Sequence, residues 1–179
     1  MFVIAFLLIL LSLYIHINNR TKFILQIEKY INPGETILDF GSGRCDIEKF
    51  FMNRNKVVNI DIYKGCKNTI VYDGKSLPFK DNQFDVVLCM FVLHHIPNQK
   101  QIIEELKRVC KNKLIIIEDN PQGEIQKFIS SIHYLLFKQP PSYIKYMHTP
   151  DEWCDIIGKK CYIEQLDNTS LVNHFVLHT

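Results

Sequence analysis

Three aspartates, three glycines and three histidines in this chain have the types and spacings that could do chemistry. Asp39 lies near the end of an apolar run, Thr36-Ile37-Leu38-Asp39-Phe40, which is followed at once by Gly41-Ser42-Gly43. After Arg44-Cys45-Asp46 comes Ile47-Glu48-Lys49-Phe50-Phe51-Met52, which reads as a helix. Strand, glycine loop and helix in that order let a ligand approach the backbone closely, because glycine has no Cβ and a helix start offers unpaired N–H groups. Asp61 lies 18 residues beyond Gly43, at the end of a second strand-like run, where a carboxylate can accept hydrogen bonds from both hydroxyls of a ribose. Ile62 follows it. Asp73-Gly74 closes a third apolar run; the aspartate could accept from an adenine amino group, and Asp-Gly is also an ordinary turn.

These residues discriminate between ligands. A dinucleotide site calls for Gly-x-Gly-x-x-Gly, and its third glycine would fall at Asp46. An acid at Asp39 would repel phosphates. A ligand with a ribose, an adenine and a positive sulfonium but no phosphate suits an acidic crevice, and S-adenosyl-L-methionine is that ligand. The residues expected to hold it are Asp39, Phe40, Gly41, Ser42 and Gly43 in the first loop, and Asp61 with Ile62 after the second strand. Asp73 and Gly74 follow the third, and Cys89 with Met90 end the fourth.

The elements that must position them alternate. Strands are expected at Thr36–Phe40, Lys56–Ile62, Asn68–Tyr72, Gln83–Met90 and Lys113–Glu118, with helices at Asp46–Asn53 and Asn98–Cys110. Ile102, Ile103, Leu106 and Val109 share one face of the second helix. Near-continuous apolar strands alternating with helices imply an α/β fold with a parallel sheet covered on both faces. Ligands then bind beyond the carboxyl ends of the strands, where Asp39, Asp61, Asp73, Cys89-Met90 and Glu118-Asp119 all fall. Farther on, Thr149 reads as an N-cap with Pro150 at the first helical position and acids in the first turn. No Pro/Gly/Ser-rich linker or internal repeat interrupts the chain.

Residues 1–19 carry no Lys, Arg, Asp or Glu, and a spanning helix needs roughly 17 or more apolar residues. This hydrophobic N-terminal helix reads as a membrane anchor, ahead of a signal peptide or a buried cap helix. Arg20 and Lys22 follow it, which places the remaining domain, residues 20–179, on the cytoplasmic side. From Arg20 to Pro33 the apolar residues Phe23, Ile24, Ile27 and Ile31 recur at helical spacing, for packing on the sheet or covering a ligand. The net charge of +2 gives no electrostatic case for nucleic acid. Six cysteines stand singly, with no Cys-x-x-Cys pair. A metal site is not expected on that spacing, and a reducing compartment is the simplest reading.

Leu38-Asp39-Phe40-Gly41-Ser42-Gly43-Arg44-Cys45 resembles the Asp-x-Gly-x-Gly-x-Gly loop of class I S-adenosylmethionine-dependent methyltransferases, with Cys45 in place of the last glycine. Asn59-Ile60-Asp61 resembles their ribose-binding strand end. Tyr72-Asp73-Gly74-Lys75-Ser76-Leu77-Pro78-Phe79, then Phe84-Asp85-Val86-Val87-Leu88-Cys89-Met90-Phe91-Val92-Leu93-His94-His95-Ile96, resembles the small-molecule branch related to quinone and sterol methyltransferases. The likeness covers about residues 35–120, in order. It implies a Rossmann-like doubly wound sheet of seven strands, mostly parallel with a C-terminal antiparallel strand, whose final hairpin would use Cys161–Leu166 and Asn173–Leu177.

Methyl transfer from a sulfonium is an in-line displacement, so the protein chiefly aligns and desolvates the partners. A base is needed only where the acceptor loses a proton. The candidates are His94 and His95, just past the fourth strand, and His148; each has a structural alternative. The segment Ile125–Phe137 and the aromatic residues after it read as an acceptor lid or as core. Lid and anchor together suggest a small lipophilic acceptor, a lipid or isoprenoid. The alternative is a catalytically inactive cofactor-binding or scaffold protein with the same fold.

Overall fold

Ile37 and Leu38 are neighbours on one strand, yet each is fully buried in a different core. The same split runs through Val86 and Val87, Leu88 and Cys89, and Ile115 and Ile116. Successive side chains on a strand point to opposite faces, so a sheet covered on both sides needs apolar residues at every position. That is the physical content of the uninterrupted runs in the sequence.

The computed structural model describes residues 22–120, 146, 148–158, 162–165 and 173–178. The strands are β1 (Thr36–Phe40), β2 (Lys56–Asp61), β3 (Thr69–Val71), β4 (Phe84–Met90), β5 (Cys110–Asn120), β6 (Tyr162–Gln165) and β7 (Asn173–His178). They form one seven-stranded sheet in the order β3-β2-β1-β4-β5-β7-β6. The first five are parallel, while β7 runs antiparallel to both β5 and β6. Strand order reverses between β1 and β4, so a crevice opens beyond their carboxyl ends.

Helices α1 (residues 22–28) and α2 (Asp46–Phe51) cover one face. Their Phe23, Ile24, Ile27, Ile47 and Phe51 pack on Ile37, Val86, Leu88, Ile115 and Ile117. Helices α3 (Gln99–Val109) and α4 (Pro150–Ile157) cover the other, through Ile102, Ile103, Leu106, Val109, Trp153 and Ile157. The α4 start is the one expected: Thr149 Oγ1 accepts from the Glu152 N–H, and the Glu152 side chain accepts from the Thr149 N–H, a full capping box with Pro at the start.

Two polar clamps hold the amino ends of the strands, away from the crevice. The Asp85 carboxylate accepts from the Thr36 N–H at 2.9 Å and from its hydroxyl at 2.8 Å, joining β1 to β4. Lys113 donates to both oxygens of Glu35, at 2.7 and 2.9 Å, and to the Tyr30 carbonyl.

The expected N-terminal helix over residues 1–19 and the expected lid helix over Ile125–Phe137 lie outside the described residues. Among the described residues no helix is long and apolar enough to cross a membrane. One expectation is corrected. Cys45 and Cys66 form a disulfide, with their Cα atoms 6.2 Å apart. The two cysteines are brought together by the return of β2 alongside α2, which their spacing in sequence does not show. The case for a reducing compartment rested on unpaired cysteines, and this bond removes its basis.

Candidate functional site

The first loop is shaped by backbone that side chains would obstruct. Gly41 has φ of 72°, and a Cβ there would lie 2.3 Å from Cγ2 of Val92. Gly43 also has positive φ, 47°. Cys45 takes the left-handed conformation, φ 57° and ψ 42°, at the N-cap of α2. A glycine at this position would adopt that conformation without cost, whereas an L-residue pays roughly 1–2 kcal/mol. The loop after β2 lies directly on this one: a Cβ on Gly65 would fall 1.6 Å from the Gly43 carbonyl oxygen.

Asp61 ties the two loops. Its Oδ2 accepts from the Gly43 N–H at 2.9 Å, and its Oδ1 from the Tyr63 N–H at 3.1 Å. The Cys45–Cys66 disulfide adds a covalent tie between the same segments. Beside it, Glu48 accepts from Asn59 at 2.7 Å and Asn68 at 2.9 Å. With both sulfurs bonded to each other and Glu48 so engaged, these three side chains are set for structure, not for a cation.

A crevice opens over the first loop. Asp39, Gly41, Ser42 and Met90, four of the residues singled out in the sequence, line it, joined by Asp46 and Ile47 of α2, Ile24 of α1 and Phe91. Asp39 is 4% exposed and Ser42 5%. Asp46 is paired with Lys49 at 3.1 Å and Arg44 at 3.4 Å. Phe91, which has positive φ, stacks edge-on against Phe23 with ring centres 5.1 Å apart. Helix α1 therefore both packs on the sheet and walls the crevice.

On the far side of Asp61, Ile62 is half exposed and Tyr63 largely so. A Cβ on Gly74 would meet Ile62 at 3.6 Å, so the Asp73-Gly74 turn sits beside this apolar shelf. The Lys75 N–H, donated to Asp73 at 2.9 Å, holds the exposed Asp73 carboxyl below the usual range. The Tyr72 phenol is pushed up to about 12, by burial first and then by Cys89, Asp61 and Asp73. Phe40 and Cys89 bury their side chains in the α3-side core, which leaves only their backbone to a ligand. Burial, reinforced by the charges of Glu118 and Asp39, drives the Cys89 thiol well up, so it stays protonated.

The three histidines part company. Leu93–His95 forms a single 3₁₀ turn after β4, which sequence reasoning did not anticipate. His94 is 2% exposed and its Nδ1 meets Oε2 of Glu118, itself 1% exposed, in a close contact. His94 Nε2 lies 3.1 Å from His95 Nε2, and His95 is exposed. His148 is elsewhere: its Nε2 donates to Gln99 Oε1 at 2.7 Å, and its ring packs edge-on against Trp153. Gln99 in turn donates to the carbonyls of Leu93 and Tyr146. Val92, Phe91 and Cys66 were not among the expected site residues: the first two lie in the stretch after β4 but carry no polar group to mark them, and Cys66 belongs to no motif.

The residues present fit S-adenosylmethionine. Each Asp61 oxygen takes one backbone N–H and keeps a second lone pair for a ribose hydroxyl. Ile62 offers an exposed apolar face of the kind a purine packs on, and Asp39 adds an acid to the crevice lining.

Comparison with known proteins agrees. Residues 38–117 match the family described as "Methyltransferase domain". An uncharacterized protein of Methanocaldococcus jannaschii is 35% identical over 106 residues, covering 58% of this chain and 43% of that protein. A ubiquinone/menaquinone biosynthesis C-methyltransferase of a Shewanella species is 27% identical over 124 residues, 56% of this chain and 49% of that one. The chain thus spans less than half the length of these curated relatives. Among solved structures, an S-adenosylmethionine-dependent methyltransferase from Archaeoglobus fulgidus superposes with a TM-score of 0.64 at 16% identity, over 89% of this chain and 94% of that one. One from Aquifex aeolicus gives 0.61 at 20% identity, over 87% of each chain.

Proposed function

We propose that this chain is a class I S-adenosylmethionine-dependent methyltransferase that transfers the sulfonium methyl group to a small lipophilic acceptor. The observation that carries the reading is Asp61, held at the end of β2 by the Gly43 and Tyr63 N–H groups with lone pairs to spare. When bound, S-adenosylmethionine supplies a methyl group already activated for displacement. The chain's residues do the rest. Asp61 binds the ribose, Ile62 and the Asp73-Gly74 turn flank the adenine, and Gly41 to Gly43 let the methionine portion lie against the backbone. Asp39 sets a negative field at the buried end of the crevice. Met90 and Phe91 with Ile24 exclude water from the reacting centre, which strengthens that field.

The lipophilic acceptor draws its support from the apolar residues of the crevice, from the apolar segment 1–19 as a membrane anchor, and from likeness to relatives named for ubiquinone and menaquinone biosynthesis. Calorimetric titration with S-adenosylmethionine tests the cofactor. Binding is expected, and Asp61→Ala should weaken it by about 10- to 100-fold, the worth of hydrogen bonds to a charged group. No binding to the wild-type protein would overturn the reading. Transfer of a labelled methyl group into quinone or lipid fractions then tests the acceptor.

A further inference from the structure

The cofactor loop is anchored in two halves, by different means. Backbone alone holds the first half: the Gly41 and Ser42 N–H groups both donate to the Ile60 carbonyl of β2, at 2.9 and 3.2 Å. The second half leans on the segment that follows β2. There the Gly43 N–H donates to Asp61 Oδ2, and Cys45, two residues on, is bonded to Cys66. Cys45 holds a left-handed backbone, φ 57°, which an L-residue leaves readily once nothing retains it. Thr69 Oγ1 lies 3.4 Å from Cys45 Sγ and 3.3 Å from Cys66 Sγ. That hydroxyl accepts from the Cys66 N–H at 3.1 Å, and its own hydrogen is left for sulfur.

The two sulfurs differ in access. Cys45 is 1% exposed, whereas Cys66 is part-buried between Gly65 and Lys67, both exposed. Lys64 is exposed as well, so an incoming thiolate meets Cys66 first, on a cationic stretch. Burial pushes the free thiols of Cys89 and Cys110 up, so neither supplies a thiolate from within.

We infer that Cys45–Cys66 is a thiol-exchange site through which an external dithiol lowers the affinity for S-adenosylmethionine. The inference rests on the methyltransferase reading and adds a control to its cofactor loop. In the exchange, one thiolate of the dithiol bonds to Cys66 Sγ. The sulfur–sulfur bond breaks, and its electron pair leaves with Cys45 Sγ, which takes a proton from solvent while the Thr69 hydroxyl is at hand to donate to it. The second thiol of the reductant then displaces Cys66, which is protonated in turn. The dithiol ends as a disulfide and the protein as two thiols. The surrounding fold does not depend on the bond: Ile47 and Phe51 keep α2 in the core, and β2 stays paired with β1 and β3. What loosens is Cys45, then the Gly43 N–H, and with it the Asp61 carboxylate on which cofactor binding turns.

Calorimetric titration with S-adenosylmethionine before and after reduction by dithiothreitol tests this, with the state of the two cysteines read by mass after alkylation. The oxidised protein should bind about tenfold more tightly than the reduced protein, the lower end of what losing hydrogen bonds to a charged group costs. By linkage, saturating S-adenosylmethionine should lower the midpoint potential of the pair by the same factor, about 30 mV in a dithiothreitol redox titration. Cys66→Ser should bind as the reduced protein does and ignore the reductant, which sets aside effects of reductant elsewhere in the chain. Equal affinity in the two states overturns the switch, whether or not Cys66→Ser folds. So does a reductant effect that survives in Cys66→Ser, or a pair whose thiols stay free in oxidised glutathione. Unfolding of the whole chain on reduction, seen as loss of far-UV circular dichroism, also overturns a switch confined to the loops. No binding in either state takes down the methyltransferase reading and the switch with it, whereas normal binding that is the same in both takes down the switch alone.

Discussion

Gly41 and Asp85 show how much a single position can weigh. At Gly41 an alanine would meet two costs together: a φ of 72° and a contact of 2.3 Å with Val92. We expect Gly41→Ala to destabilise the protein by about 2 kcal/mol, measured by urea unfolding, because positive φ penalises any Cβ and overpacking adds to it. Asp85 bears on pH. The Thr36 N–H and hydroxyl, followed by Lys111, hold its carboxyl below the usual range despite partial burial. A group whose folded pKa is depressed contributes stability that is fully present above its unfolded value, near 3.9, and is lost as pH falls through the folded value. Wild-type stability should therefore decline below about pH 4, and Asp85→Asn should flatten that decline while costing about 1–2 kcal/mol at neutral pH. Acid titrations of both proteins by circular dichroism check the sign.

Among the elements, α4 allows two contributions to be compared within eight residues. Trp153 is fully buried against the sheet, while Thr149 caps the helix at the surface. Trp153→Ala should cost about 3–5 kcal/mol and Thr149→Ala about 1 kcal/mol in thermal or urea unfolding. The helix start at Thr149 was legible because a capping box is local. So were β1, β4 and α3, whose apolar periods repeat over most of their length. Strand β5 was expected at Lys113–Glu118 but runs from Cys110 to Asn120. It continues because β7 pairs with Ile115 through Asn120, a contact made from far along the chain. The histidine turn was illegible for a related reason. Nothing in Leu93-His94-His95 shows that Glu118 will arrive beneath it from the next strand. The acids and glycines at the strand ends were readable in kind, because parallel topology sends all those ends to one side.

Across the whole molecule, the cofactor loop is fixed from three directions: by Val92 pressing on Gly41, by Asp61 bonding Gly43, and by the Cys45–Cys66 disulfide. Closing a loop with a sequence separation of 21 should stabilise the fold by about 3 kcal/mol in the chain-entropy account. A reductant should lower the urea midpoint accordingly, and bound S-adenosylmethionine should raise it with ligand concentration by mass action.

The same bond makes a closed ring of the backbone between Cys45 and Cys66, and that ring contains α2, β2 and Asp61. A protease that cuts once inside it, at the exposed Tyr63 for example, opens the ring without parting the chain. On a denaturing gel the nicked protein would run as a single full-length species until a thiol is added, and only then separate into two fragments. Digestion followed by gels with and without reductant would show whether the ring is closed in the protein as isolated.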